Sequence, residues 1–174
     1  QEATERRILA EIERLSANGA LIKPLITRHL QAITDAALRR DDLAAADLSA
    51  ATGWHLLQWG QHDAGRHYIE QALRIHRMIC GETAAATAGS LNLLALHWDF
   101  RNQHHLAQPL YQQALEIYQQ TIGDEHPDTA TCCSNWGLSA MHTGNYQLAR
   151  QLLERALVAR ARREPDGLDT ARTL

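Results

Sequence analysis

The chain has 174 residues, 45% of them apolar, with 17 Lys and Arg against 20 Asp and Glu for a formal net charge of −3. These are ordinary values for one soluble globular domain and exclude a chain that is disordered throughout. No run approaches the roughly 18 apolar residues of a membrane span, and the slight acidic excess argues against a dedicated nucleic-acid binder.

In chain order, apolar spacing predicts helices at about 2–17 and 21–40, separated by Asn18-Gly19. Six more follow, at about 43–59, 63–79, 85–101, 104–121, 127–143 and 146–163. In the fourth of these six, Leu106, Leu110, Ala114, Leu115 and Ile117 mark one apolar face. Gly60, Asn102 and Gly144 stand where one helix hands over to the next and a left-handed residue is needed; Gly81 and Gly123 end the following helices in the same way. Pro127 fits a first helical turn, and Asp128 puts a negative charge beside a helix N-terminus.

These elements repeat. Ala72, Ala114 and Ala156 are 42 residues apart, as are Leu73, Leu115 and Leu157, and the segments around them align without a gap. Upstream, Gly53, Ala95 and Gly137 keep the same step, followed by Trp54, Leu96 and Leu138. Small residues recur where helices must approach closely, which is a packing signature. The division expected is a helical pair over 1–42 outside the register, three units over about 43–81, 82–123 and 124–163, and a cut fourth unit over 164–174, where Asp169-Thr-Ala171 echoes Asp128-Thr-Ala130. With no initial Met and a partial last unit, the sequence reads as a fragment of a longer protein.

The residues resemble tetratricopeptide repeats. Trp136, Gly137, Gly144, Tyr146, Ala149, Leu153 and Ala156 fit that family's pattern in the third unit, and Leu94, Ala95, Trp98, Ala107, Tyr111 and Ala114 in the second. The first unit fits with Gly53, Gly60, Ile69 and Ala72 but has Gly65 where Ala is expected. The 42-residue length and the stretch from Gly123 to Ala130 are similar to the kinesin-light-chain type, which also occurs in bacterial multidomain proteins behind signalling ATPases. A single Lys beside 16 Arg agrees with a GC-rich bacterial genome.

The resemblance implies an all-α, right-handed solenoid of antiparallel helix pairs whose first helices line a concave groove. Carried over onto this chain, the groove positions are Asp47, Ala50, Ala51 and Trp54, then Asn92, Leu93, Leu96 and Asp99, then Thr131, Ser134, Asn135, Leu138 and His142. Asn92 and Asn135 offer donors and acceptors to the backbone of an extended peptide; the alternative is that they are solvated helix residues. Trp54, Leu96 and Leu138 form either an apolar strip of the groove or a core stripe. None of these positions is basic, so capture of a terminal carboxylate is not expected.

Chemistry is sparse. Cys80, Cys132 and Cys133 show no Cys-x-x-Cys spacing, fit no disulfide framework, and point to a reducing cytoplasm, with the adjacent pair read as small buried hydrophobes. The ten histidines include no metal-ligand spacing and read as exposed or cap-forming, with His126 in an inter-repeat turn. Phosphate-binding glycine motifs are absent from the sequence. The arginines Arg150, Arg155, Arg160, Arg162 and Arg163 read as a solvated face. No catalytic residue, metal or cofactor is expected. The function expected is a non-enzymatic interaction module for a peptide or partner domain, with no nucleic acid or membrane as partner. The alternatives are a ligand-sensing region of a larger ATPase-type regulator and a self-association module.

Overall fold

The computed structural model describes residues 23–163. The expected helix at 2–17, the Asn18-Gly19 break and the fourth unit lie outside them. Seven helices and no strand occur among the described residues: α1 (Lys23–Leu38), α2 (Leu43–Gln58), α3 (His62–Cys80), α4 (Ala85–Phe100), α5 (His104–Thr121), α6 (Pro127–His142) and α7 (Tyr146–Arg163). The apolar periodicity placed the ends of α2–α7 to within a residue. The chain divides into two compact units, one running to Ile79 and the next beginning at Cys80.

The turns within each helix pair are copies of one another. Gly60, Asn102 and Gly144 have φ of 78°, 56° and 77°, so the left-handed position read from the sequence is real in all three, including the one held by Asn. The next residue donates its backbone N–H to the carbonyl five positions earlier each time: Gln61 to Leu56 at 2.8 Å, Gln103 to Trp98 at 2.8 Å, and Asn145 to Ala140 at 2.9 Å. The turns after α3 and α5 are also alike. Gly81 and Gly123 have φ of 94° and 84°, and each carbonyl accepts a 2.7 Å bond from a threonine hydroxyl six residues on, Thr87 and Thr129. Pro127 starts α6, and the His126 ring accepts from the Asp128 backbone N–H.

In the first unit, α1, α2 and α3 pack around Leu30, Leu56, Leu57, Ile69 and Ile75, all essentially inaccessible. Several polar groups buried there are satisfied locally. Thr34 donates to the Leu30 carbonyl at 2.8 Å, which leaves Thr52 as the donor across the 2.7 Å contact between the two threonine hydroxyls. Ser49 donates to the Tyr68 carbonyl, and the Tyr68 hydroxyl to Asp35, both at 2.8 Å.

The second unit holds α4 to α7. Ala114 and Ala156 are as buried as Ala72 is in the first unit, each at 2% exposure or less, so the three alanines of the register occupy the same kind of helix joint. Tyr111 is wholly buried between α5 and its neighbours. Cys132 and Cys133 are buried, as small hydrophobes should be, and Cys80 is exposed. The sequence reading of the histidines needs correction. His76 and His97 are 3% and 1% exposed and belong to the interior. His97 stands edge-on to Trp98 with ring centres 4.8 Å apart, and His76 Nε2 lies 3.3 Å from Asp47 Oδ1.

Candidate functional site: the face of the first helices

In the second unit the candidate groove residues fall on one face of α4 and one face of α6. Thr131, Asn135, Leu138 and His142 step along α6 by four, three and four residues, with Ser134 three after Thr131, and so share a stripe. Thr131, Leu138 and His142 are exposed, and Ser134 and Asn135 half-buried. Leu138 is 52% accessible, a large aliphatic side chain left in water. On α4, Leu93 and Leu96 are half-buried and Asn92 is buried. The strip at register positions 54, 96 and 138 is thus neither pure core nor fully open: Trp54 and Leu96 are half covered, and Leu138 is the most exposed of the three.

Two of these residues meet. Asn135 Nδ2 donates to Asn92 Oδ1 at 3.2 Å, joining α4 to α6. That bond fixes the Asn135 amide and leaves its oxygen and second N–H for another partner. Asn92, at 8% exposure, is a support for Asn135 rather than a free contact.

Asp99 is committed internally. Its Oδ1 accepts from the Ser139 hydroxyl of α6 at 2.8 Å and lies 2.8 Å from His104 Nδ1 of α5. Its Oδ2 accepts from the Tyr111 hydroxyl at 2.8 Å. One carboxylate therefore ties three helices together. Burial first, and the Asp99 charge second, push the Tyr111 hydroxyl far above the usual phenol range, so it stays a donor. His142, at the end of the stripe, stacks on His104 with ring centres 5.8 Å apart and planes 10° from parallel. Ser139, Tyr111 and His104 were absent from the sequence reading of the site. They stand 40, 12 and 5 residues from Asp99, none of which is the repeat step, so no periodic signal marks them.

Asp47 and Trp54 sit on α2 in the first unit. The Asp47 side chain is 76% exposed and borders the buried His76. Among the described residues no three His, Cys, Asp or Glu converge to hold a metal ion. No described helix is long and apolar enough to cross a membrane.

The tetratricopeptide repeat family model matches residues 100–157, from the end of α4 through most of α7. Over that segment the chain is similar to the tetratricopeptide repeat. The fold is shared more widely: BtubC (BKLC) from P. vanneervenii superposes with a TM-score of 0.69 at 21% identity, over 93% of this chain and 73% of that one. A Podosopora anserina kinesin light chain of nearly identical TPR-like repeats aligns over 94% of this chain and 98% of its own, at 14% identity and a TM-score of 0.46. None of the curated proteins matches. Tetratricopeptide repeats are in general protein–protein interaction modules.

Proposed function

We propose that this chain binds an extended peptide segment of a partner protein along the face of α4 and α6, without catalysing a reaction. Leu138 carries the reading: a leucine more than half exposed, flanked by Ser134 and Asn135 and lying on the same helical stripe as Thr131 and His142. An aliphatic contact beside a fixed amide suits a neutral peptide, with Asn135 taking its backbone and Leu138, Leu96 and Leu93 its apolar side chains. The residues involved belong to the units over 82–123 and 124–163, and Asp47 and Trp54 hold the related positions of the unit over 43–81.

Peptides selected from a displayed random library against the whole chain test this. Leu138→Glu should weaken the selected peptides at least about ten-fold, as expected for loss of a central apolar anchor. Asn135→Ala should weaken them less. Selected peptides indifferent to both changes would remove the assignment.

A second reading, self-association, is favoured by one observation. Met141, Tyr146, Leu153 and Leu157 border an almost wholly apolar recess of about 380 Å³, and Tyr146 and Leu157 are 71% and 60% exposed. Sedimentation across a wide concentration range decides it. A mass that rises with concentration and returns to the monomer in Leu157→Lys supports self-association, and a constant monomer mass rejects it.

A further inference from the structure

Another recess lies off the stripe just described. It is a trough of about 1020 Å³ with α6 as its floor and α5 and α7 as its walls. Ala130, Cys133 and Trp136, three residues apart along α6, lie at the bottom. Leu115 of α5 and Leu152 of α7 close in from the sides, and Val158 stands half exposed at the α7 edge. A trough formed by two helices over a third presents the parallel ridges that receive another helix.

Its charges select the occupant. Two arginines border the trough, and both are already held: Arg155 by Asp124 at 2.7 Å, and Arg162 by Glu125. Asp124 also accepts from the Gln119 amide at 3.0 Å. The remaining charges on the walls are two carboxylates on opposite sides. Glu116 on α5 accepts only from the neutral Gln112 amide at 3.0 Å. Glu154 on α7 pairs with Arg150 at 3.2 Å, with side chains 62% and 79% exposed, an ion pair that costs little to exchange for another cation. The lining carries four carboxylates, Glu116, Asp124, Glu125 and Glu154, against two arginines, so the trough is negative on balance, with Trp136 and Val158 as the apolar side chains open to contact.

We infer that this trough is a second docking surface, distinct from the α4–α6 stripe, for an amphipathic helical segment of another protein that buries an apolar face on Trp136 and Val158 and sets Lys or Arg against Glu116 and Glu154. Both surfaces can be occupied at once, since their named residues do not overlap.

Fluorescence anisotropy on the whole chain tests this with two labelled model helices. One is an 18-residue Leu/Lys peptide with a single apolar face, and the other is its Leu/Glu counterpart. The Leu/Lys peptide should bind at least about ten-fold more tightly at low salt. Glu116→Lys combined with Glu154→Lys should erase that preference, and Val158→Asn, which removes the apolar contact without adding charge, should weaken both peptides. These three positions are solvent-facing, and thermal melts of the variants confirm folding. Leu138→Glu, on the other face, should change nothing, which separates this surface from the peptide stripe. Equal binding of the two peptides, no binding of the Leu/Lys peptide, or a preference that survives the double charge reversal would each overturn the proposal.

Discussion

Gly53 of α2 and Gly65 of α3 face each other so closely that a Cβ built on Gly65 would stand 2.9 Å from the Gly53 carbonyl oxygen and 2.9 Å from a Leu57 methyl. This explains the one departure of the first unit from the family pattern. Where the third unit pairs Gly137 with Ala149 and the second Ala95 with Ala107, the first uses glycine on both helices and brings the backbones closer.

Gly65→Ala should therefore destabilise the protein, although alanine is the better helix former by about 1 kcal/mol. The clash is with backbone, which cannot rotate away, and overpacking of this kind costs about 1–3 kcal/mol. Urea unfolding should show a lower midpoint. Gly53→Ala should be worse, because its Cβ would lie 2.5 Å from Ile69 Cγ1 as well as 2.9 Å from the Gly65 carbonyl oxygen. A midpoint raised by Gly65→Ala would contradict the close approach.

The Asp99 carboxylate makes a second case. Ser139→Ala removes one bond to it and should cost about 1–2 kcal/mol; Asp99→Ala leaves the buried Tyr111 hydroxyl without its acceptor and should cost about 2–3 kcal/mol. Because the network joins residues that share one carboxylate, the losses should not add. The double variant of Asp99→Ala and Ser139→Ala should fall short of the sum, and full additivity in denaturant titrations would show that the groups act independently.

Much of the fold was legible in the sequence because its signals are local and periodic. A left-handed residue at 60, 102 and 144 stops a helix whatever the partner helices do, and small residues 42 apart mark joints that must be tight. The Asp99 network was not legible because it depends on which turn of α5 and α6 lies beside α4, and a single Asp in a single unit leaves no periodic trace. The buried histidines escaped for a related reason. His55 and His97 are in step, yet His97 is buried and His55 only half-buried. Identical spacing does not guarantee identical surroundings once the flanking residues differ. On the candidate stripe, spacing put Asn92 and Asn135 on neighbouring first helices, but only the coordinates separate the supporting Asn92 from the accessible Asn135.

Acid should loosen the turns. The Gln119 amide, and after it the Arg155 guanidinium, hold the Asp124 carboxyl below its ordinary value of 3.8. Arg40 first and the Ala45 backbone N–H second do the same for Asp42, the N-cap of α2. A carboxyl that is more acidic folded than unfolded contributes stability that is complete above the unfolded value and lost as pH falls through the folded one. Both side chains are substantially exposed, at 64% and 45%, so the contribution is small. The double variant Asp42→Asn and Asp124→Asn should have a lower urea midpoint than the parent at about pH 6, and the gap should narrow progressively as pH falls below the ordinary value of 3.8. A gap that is constant across that range would mean the substitutions act through packing instead of charge.

Thiol chemistry reads the interior of the second unit directly. Burial raises the Cys132 thiol far above its usual range, and the neighbouring Cys133 adds to the effect; burial likewise raises Cys133, with Arg155 opposing it in part. The Cys132 thiol also faces the Tyr111 carbonyl at 3.8 Å. Cys80 is exposed at the end of α3. A chromogenic disulfide at about pH 8 should therefore titrate one thiol in the native protein and all three in denaturant, since the thiolate is the reactive form and the buried pair lacks both ionisation and access. The slow native reaction of Cys132 and Cys133 should follow opening of the α5–α7 packing and accelerate in Ser139→Ala, which weakens the tie between α4 and α6. If Cys133 instead reacts as fast as Cys80 without denaturant, the close packing of α6 against α5 and α7 is wrong.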